Sequence, residues 1–336
     1  MERPADHPAA APARVGVLLV NLGTPDAPTE RAVRRYLAQF LSDRRVVEIP
    51  QIVWQPVLRG IILNTRPKKS AAAYSKVWDP VHGSPLRAFT EAQAEALVGA
   101  FGPDVVVDWA MRYGNPSIPD RLAALKADGC TRILIAPLYP QYSAATTASV
   151  NDAVFAELGK WRWQPAVRTL PPYHDDPAYI AALAASVREG LAGLDFVPDA
   201  IVTSFHGMPE RTLHMGDPYH CQCHKTARLL REALGLAEDG LRLTFQSRFG
   251  RAEWLKPYTD ATLEALPGEG VRKIAVICPG FSVDCLETME EVALEGRDIF
   301  IEAGGEKFAY LPCLNASDGG MAMLKALLTR ELQGWV

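Results

Sequence analysis

Residues 15–25 read VGVLLVNLGTP, and residues 199–209 read DAIVTSFHGMP. Each is a short apolar run that ends in a loop containing Gly and Pro. Two further pairs of segments follow in the same order along the chain: DVVVDWAMRYG (104–114) with GLRLTFQSRFG (240–250), and RILIAPLYPQYSAATTAS (132–149) with KIAVICPGFSVDCLET (273–288). This repetition predicts that the chain contains one structural unit twice.

The apolar runs in these segments are short, continuous and rich in β-branched residues, which is typical of strands buried on both faces. Helical patterns lie between them, at 30–41, 177–194, 225–235 and 318–333. Alternating strands and helices favour parallel sheets covered by helices. We therefore expect an α/β protein made of two similar Rossmann-like, doubly wound parallel-sheet halves that face a central cleft. Two unrelated Rossmann-like units with similar strand patterns are the alternative.

The expected halves cover residues 15–165 and 170–336, and the second carries the residues that handle metal. Residues 1–14 are rich in Ala and Pro and predict a disordered tail. The first half has an extra apolar segment at 46–86. Its first part, 46–63, is either a core helix with a loop, or a flap that covers a hydrophobic ligand or leans on a membrane.

The composition, with 48% hydrophobic and 22% charged residues, indicates a soluble globular protein. A net charge of −4 disfavours nucleic acid as a partner, since phosphate binding requires a basic surface. The apolar runs are shorter than the roughly 20 residues of a membrane span. The N-terminus has no secretory pattern. We expect a cytoplasmic protein with reduced cysteines, peripheral at the inner face of the membrane if 46–63 contacts lipid.

The two copies differ where chemistry is expected. Ligands of open α/β sheets bind beyond the carboxyl ends of the strands. In the loops at that edge the second copy has His206 and Glu287, where the first has Leu22 and Ala145. An imidazole accepts a proton or binds a first-row metal ion, although a loop hydrogen bond would also account for a histidine there.

An acidic row follows the third strand of the second copy. Glu287, Glu291 and Glu295 are four residues apart, with Glu290 beside them. On a helix the three share one face, at a cost of a few tenths of a kcal/mol for each like-charged pair. The row predicts a path for a divalent cation; a solvated acidic face is the alternative.

Residues 220–224 read HCQCH and contain the ligand types of zinc and iron–sulfur sites. Cys221 and Cys223 are therefore candidates for a cluster or a second metal site, although Cys-x-Cys is not a usual zinc spacing. Dinucleotide-binding, P-loop and hydrolase motifs are absent from the sequence.

The chain resembles the ferrochelatases, which insert ferrous iron into a porphyrin in the last stage of haem synthesis. The matching motifs run in order along the chain after the tail: NLGTP (21–25), GSPL (83–86), MRYG (111–114), LYPQYSAATTAS (138–149), SFHGMP (204–209), GDPY (216–219), TFQSRFGRAEWLKPYT (244–259), PGFSVDCLETMEE (279–291) and LPCLN (311–315).

The resemblance implies a porphyrin in the cleft between the halves. It implies His206 as iron ligand, as acceptor of the pyrrole protons, or as both, with Glu287 as the carboxylate opposite. Glu291, continued by Glu295, would conduct metal or protons.

The resemblance also implies residues that hold the porphyrin. Tyr113 and Trp254 would pack on or near the macrocycle, Ser84 would meet a propionate, and Leu22 would line the cleft. The implied substrates are Fe2+ and protoporphyrin IX, with no required cofactor and no obligate protein partner. Coproporphyrin is the alternative substrate, and a non-catalytic haem- or metal-binding protein is the alternative from another class.

A [2Fe–2S] cluster occurs in some members of the family. Ala144 stands where animal members have a cluster-ligating cysteine, and the chain ends at 333–336 without a cysteine-bearing extension. We therefore do not expect an animal-type cluster, and Cys221 and Cys223 stay the candidates for a different one.

Overall fold

The computed structural model describes residues 13–250 and 252–336. Within them the strands form two four-stranded parallel sheets. The first has the order β2-β1-β3-β4, with β1 at Arg14–Gly23, β2 at Val105–Tyr113, β3 at Cys130–Pro137 and β4 at Ala166–Thr169. The second has the order β6-β5-β7-β8, with β5 at Ala200–His206, β6 at Leu241–Gln246, β7 at Lys273–Ile277 and β8 at Lys307–Tyr310.

The two sheets have the same strand order, which confirms the predicted α/β class and the repeat. Each paired segment of the sequence supplies equivalent strands, so β1 corresponds to β5, β2 to β6 and β3 to β7. The runs that predicted these strands form the core; residues 17–20 of β1, for example, are 0% exposed. Continuous apolar runs are required here because helices cover both faces of each sheet.

The four predicted helices are present, as α1 (Glu30–Phe40), α7 (Pro177–Ala192), α9 (Tyr219–Leu234) and α12 (Asp318–Leu332). Thr29 begins α1, because its side chain accepts from the backbone N–H of Ala32. Gly235 ends α9 in the left-handed region, at φ 71°. The other α-helices are α2 (Gln51–Val57), α3 (Leu63–Val77), α4 (Pro85–Ala96), α5 (Ile118–Ala127), α6 (Ser149–Leu158), α8 (Glu210–His214), α10 (Thr259–Ala265) and α11 (Arg297–Glu302).

The edge strands β4 and β8 were not predicted. Each is four residues long and only partly buried, so neither contains the continuous apolar run that marks the central strands. β4 lies between the two predicted halves, yet it pairs with β3 of the first sheet. Most of the predicted N-terminal tail, residues 1–12, lies outside the described residues, and Arg14 already belongs to β1.

Both copies have a π-helix in the segment that follows their third strand. In the first copy it covers Ala144–Ala148, and in the second it covers Glu287–Gly296, which we call the acidic π-helix. The sequence predicted a helical row at this position but not its type. With i→i+5 bonding a π-helix has about 4.4 residues per turn, so residues four apart still lie near one another on one face.

The extra segment of the first half is helical, with a third π-helix at Leu58–Ile62 between α2 and α3. Leu58 and Leu63 are buried in a small cluster with Leu41 and Val47. The opposite side exposes Ile52, Val53 and Ile61, at 87%, 58% and 58%, and we call these three side chains the apolar lip. The buried inner side agrees with the core-helix interpretation, and the flap interpretation stays a prediction.

An arginine of α1 hydrogen-bonds to helix α3 close to a proline within α3. Because Pro67 has no N–H, the carbonyl of Leu63 lacks its usual helical donor. The Arg34 guanidinium donates to that carbonyl at 2.8 Å and to Oδ1 of Asn64 at 2.9 Å. The helix therefore continues through the proline, and Arg34 of α1 supplies the hydrogen bond that the Leu63 carbonyl would otherwise lack.

The two halves contact each other on both sides of the sheets. Lys76 on α3 forms a 2.6 Å ion pair with Glu290 of the acidic π-helix. On the other side, the first-copy loop before Ala144–Ala148 binds the region of α9. Its hydrogen bonds are Gln141 Nε2 to Thr226 Oγ1, Tyr142 N to Gln222 Oε1 and Ala144 N to Asp217 Oδ2. The two halves are thus held by polar contacts as well as by a shared apolar core.

Among residues 13–250 and 252–336, no helix has the length and apolar character needed to cross a membrane.

Gly23 allows β1 to end close to β2, and its replacement should destabilise the fold. Its φ is 116°, and a Cβ there would lie 1.8 Å from the carbonyl oxygen of Tyr113. We expect Gly23→Ala to lower the free energy of unfolding by more than about 2 kcal/mol, measured by urea denaturation. Gly60→Ala is the control, because a Cβ at Gly60 meets nothing within 4 Å. Equal stability of the two variants would contradict this assignment.

Candidate active site

His206 is the last residue of β5, at the carboxyl edge of the second sheet. Its Nδ1 lies 2.7 Å from the carbonyl oxygen of Gly207. A carbonyl only accepts, so Nδ1 carries the hydrogen and Nε2 keeps its lone pair. Gly207 is required because a Cβ would lie 2.6 Å from the carbonyl oxygen of Gln246. The imidazole is thus held in one tautomer with one nitrogen available.

Gln246 connects His206 to the start of the acidic π-helix. It is the β6 residue in register with His206 and is 4% exposed. Its Nε2 donates to the carbonyl of Glu287 at 2.9 Å, and its Oε1 accepts from Oγ of Ser204 at 2.6 Å. Adjacent strands are about 4.8 Å apart. His206 is therefore paired in the sheet with the residue whose buried side-chain amide holds the main chain of Glu287.

Glu291 lies one π-helical turn after Glu287 and is held by Ser247. It accepts from the backbone N–H of Ser247 at 2.7 Å and from its hydroxyl. Ser247 has a φ of 65°, an uncommon conformation for a residue with a side chain. Burial raises the pKa of Glu291; the hydrogen bonds of Ser247 and the nearby His206 lower it, and Glu287 raises it. Glu291 is therefore within electrostatic range of both predicted catalytic residues.

Two tyrosines of the first half lie within electrostatic range of Glu287, and the sequence did not predict them as site residues. Tyr36 on α1 and Tyr74 on α3 are 7% and 6% exposed. Burial is the largest cause that raises the pKa of each phenol, and the charge of Glu287 raises both further. The charge of Glu287 is therefore within electrostatic range of α1 and α3 in the first half. Tyr36 stood in a helical apolar pattern, which predicts burial but not the neighbour across the interface.

Trp254 lies beside the turn that follows His206. A Cβ at Gly207 would be 3.3 Å from its ring, and Trp254 Nε1 donates to the carbonyl of Phe249 at 3.0 Å. Its ring packs on Phe249 with centroids 4.9 Å apart, and the guanidinium of Arg66 on α3 lies 4.9 Å from the Phe249 centroid. An aromatic pair therefore flanks the site and touches the first half.

The other predicted cleft residues lie in the first half, and two of them are buried. Tyr113 is 0% exposed, and its hydroxyl donates to Asp43 at 2.7 Å. Its ring meets Phe40 edge to face, with centroids 5.1 Å apart. Ser84 is 2% exposed immediately before α4, and Leu22 is partly buried against the core. The geometry thus groups His206, Glu287, Glu291 and Trp254, whereas Tyr113, Ser84 and Leu22 have other neighbours.

The residues of the acidic row have different surroundings. Glu291 and Glu295 line a cavity of about 220 Å3, together with Ser247, Arg248 and Asp260. Glu295 is exposed, whereas Glu290 is bound to Lys76. The cavity is smaller than the roughly 300–1,000 Å3 typical of ligand pockets, so it suits water or a small ion.

The two candidate cluster cysteines do not converge. Cys223 is 0% exposed whereas Cys221 is exposed, because residues two apart on a helix point in nearly opposite directions. The arrangement of the two thiols therefore gives no support to a cluster held by both. Burial raises the pKa of the Cys223 thiol, which disfavours the thiolate that a metal requires. In the described ranges 13–250 and 252–336, no group of three His, Cys, Asp or Glu residues is arranged to hold a metal ion.

Comparison with known proteins gives a family assignment. A family model described as Ferrochelatase matches residues 14–332. The chain is 58% identical to the ferrochelatase of Rhizobium meliloti (strain 1021), covering 100% of both chains. It is 57% identical to the ferrochelatase of Agrobacterium fabrum (strain C58), covering 99% of this chain and 98% of that protein.

Solved structures with low sequence identity share the fold. SirB from Bacillus subtilis with Fe3+ superposes with a TM-score of 0.57 at 12% identity, covering 96% of this chain and 97% of that one. CbiX, described as the terminal enzyme of sirohaem biosynthesis in denitrifying bacteria, gives 0.51 at 15% identity, covering 95% and 100%. At these identities the likeness concerns architecture.

The raised pKa of Glu291 predicts how stability depends on pH. Above the ordinary glutamate value of 4.5, the folded protein holds this proton more tightly than the unfolded chain does. The wild type therefore loses stability as the pH rises through the raised pKa, whereas Glu291→Gln does not titrate there. We expect the free energy of unfolding of Glu291→Gln, relative to that of the wild type, to increase as the pH rises. Urea denaturation at a series of pH values measures this difference.

Glu264→Gln, on the exposed side of α10, is the matched control and should follow the wild type. A difference between Glu291→Gln and the wild type that stays constant with pH would contradict the assignment.

Proposed function

The chain belongs to the ferrochelatase family, and on that premise we propose that it inserts Fe2+ into protoporphyrin IX with His206 and Glu287 as the reacting groups. It is an enzyme that inserts iron into a porphyrin in haem biosynthesis, and iron is a substrate of the reaction. The observation that carries the residue assignment is the grouping of His206, Glu287 and Glu291 at one sheet edge.

Porphyrin metallation requires a base and a site for a divalent metal ion. Two pyrrole N–H protons leave as Fe2+ enters, and an imidazole is well matched to proton transfer near neutral pH. Nε2 of His206 has the free lone pair for this step or for binding the iron. Glu287 contributes negative charge from the neighbouring element, and this charge attracts Fe2+.

Glu291 suits the next proton transfer. Its raised pKa makes Glu291 a better proton acceptor than an ordinary glutamate, and His206 lies in electrostatic range. The cavity of about 220 Å3 then leads from Glu291 to the exposed Glu295. Along this route the acidic row would move protons outward or metal inward. Glu290 has a structural role instead, because it forms an ion pair with Lys76.

The porphyrin is expected between the halves, where Glu287 faces Tyr36 and Tyr74. Trp254 supplies an aromatic surface beside His206, and Tyr113 acts through Phe40, on which it packs. Bending the macrocycle exposes its nitrogen lone pairs. Strain of about 1–5 kcal/mol is met from binding energy along the rest of the ring.

The first half favours the less charged porphyrin. Helix α3 runs along the site, since Arg66 contacts Phe249 and Lys76 binds Glu290. The apolar lip lies just before α3 in the chain and exposes apolar side chains near this edge. Protoporphyrin has two propionates and apolar vinyl groups, whereas coproporphyrin has four propionates. The exposed apolar side chains suit the vinyl groups of protoporphyrin, whereas the basic residues beside them would also accept propionates, so coproporphyrin stays the alternative substrate. A cluster at Cys221 and Cys223 is no part of the proposal.

The apolar lip also suits contact with a membrane surface. Its exposed side chains are accompanied by exposed basic residues, which attract anionic headgroups: Arg59, Lys68 and Lys69. Peripheral contact would place the cleft next to the phase in which an apolar porphyrin dissolves.

Removal of the His206 imidazole should abolish insertion without unfolding the protein. With ferrous iron and protoporphyrin IX under anaerobic conditions, we expect His206→Ala to lower kcat by at least about 100-fold. The circular dichroism spectrum and Tm should stay those of the wild type. His214→Ala is the control, because the His214 side chain is 74% exposed and on α8.

Wild-type turnover by His206→Ala would exclude its role in the reaction. The same assay with coproporphyrin III tests the substrate, since a higher kcat/KM for coproporphyrin would contradict the proposed preference. A wild-type protein that binds porphyrin but inserts no metal would support the non-catalytic alternative.

Polar replacements in the apolar lip should weaken membrane binding. We expect Ile52→Ser combined with Val53→Ser to reduce co-sedimentation with phosphatidylglycerol vesicles by about tenfold or more, because the apolar burial is lost. Val197→Ser, at an exposed valine of the second half, is the matched control. Equal binding of the two variants, or no binding by the wild type, would refute membrane contact through the lip.

A further inference from the structure

The HCQCH segment contains a pair of histidines that the reaction does not use. His220 and His224 lie four residues apart in the first turns of α9, and their ring centroids are 4.4 Å apart. Two histidines at i and i+4 on one helical face are a known arrangement for a zinc ion. The histidines converge, whereas the cysteines between them diverge.

The distance between the rings fits a shared metal ion. A Zn–N bond of about 2.0–2.1 Å puts the ion about 3.2 Å from each ring centre. Two imidazoles on one ion at about 90–110° then have centres about 4.5–5.2 Å apart. The observed 4.4 Å is just below this range, so small rotations of the side chains suffice.

The surroundings of the pair hold the rings in place and lower the cost of a cation. His220 stacks on Phe245, with centroids 5.9 Å apart and an interplanar angle of 18°. A cation near a helix N-terminus is disfavoured by the helix dipole. Glu210 lies within electrostatic range of His220 and offsets this effect. The nearby cation Lys225 is itself paired with Asp175.

The pair is separated from the active site by the second sheet. Successive side chains of a strand point to opposite faces. Phe245 packs with the core beneath α9, whereas Gln246, the next residue, bonds to the acidic π-helix on the other face. A metal at the histidines therefore does not share ligands with His206 or Glu287.

We propose that His220 and His224 form a second, surface site for a divalent first-row transition metal, with water completing the coordination. Imidazole is a good ligand for Zn2+, Ni2+ and Cu2+, because these ions bind nitrogen donors well. The site is open and two-coordinate from the protein, so binding is reversible and adds to, rather than replaces, metal handling at the catalytic residues.

Zn2+ titration of the full chain in a His206→Ala background tests the site, because the catalytic histidine is then removed as a competing ligand. We expect one Zn2+ to bind by isothermal titration calorimetry. Adding His224→Ala or His220→Ala should lower its affinity by about tenfold or more, since a chelate becomes a single ligand. Zn2+ should also raise Tm in the parent protein and less in either double variant.

Two controls make the result specific. Cys221→Ser asks whether the exposed thiol is the ligand, and His214→Ala asks whether any exposed histidine suffices. Both should leave the affinity unchanged. Unchanged affinity in His224→Ala and His220→Ala, or loss of binding in Cys221→Ser, would overturn the proposal. Neither outcome bears on iron insertion by the wild type.

Discussion

The site depends on a buried hydrogen bond from the side chain of Gln246 to the carbonyl of Glu287. The Gln246 amide is 4% exposed and also accepts from Ser204, so it has little access to water as an alternative partner. An unsatisfied polar group at this depth costs about 1–3 kcal/mol, which strongly favours one position of the acidic π-helix. Gln246 is also in register with His206, so one residue ties the main chain at the start of the acidic π-helix to the strand pair that ends at His206.

The two copies use the same scaffold for different purposes. Each places a π-helix after its third strand, but in the first copy it consists of small residues, Ala144–Ala148. The loop before it binds α9 and Asp217 of the second half, so it acts as a structural joint. In the second copy the equivalent helix carries Glu287 and Glu291. A duplicated fold thus supplies one edge for assembly and one for chemistry.

The sequence predicted those features that follow from burial or from residue identity. Central strands such as β1 and β5 could be predicted because a short, continuous apolar run is typical of a buried strand. The position of His206 at a sheet edge could be predicted because it ends one of these runs. The edge strand β4 could not be predicted, since a half-exposed strand has no such run. The π-helical winding, the contacts of Tyr36 and Tyr74 with the charge of Glu287, and the divergence of Cys221 and Cys223 arise from three-dimensional packing. A sequence pattern specifies which residues are near along the chain, not which meet across an interface.

The hydrogen bond from Nδ1 of His206 to the carbonyl of Gly207 limits how the imidazole can act. With Nδ1 engaged in that hydrogen bond, the ring can accept one proton, at Nε2, whereas each porphyrin releases two protons. In the proposed mechanism the imidazole must therefore pass the first proton to a relay residue before it can accept the second.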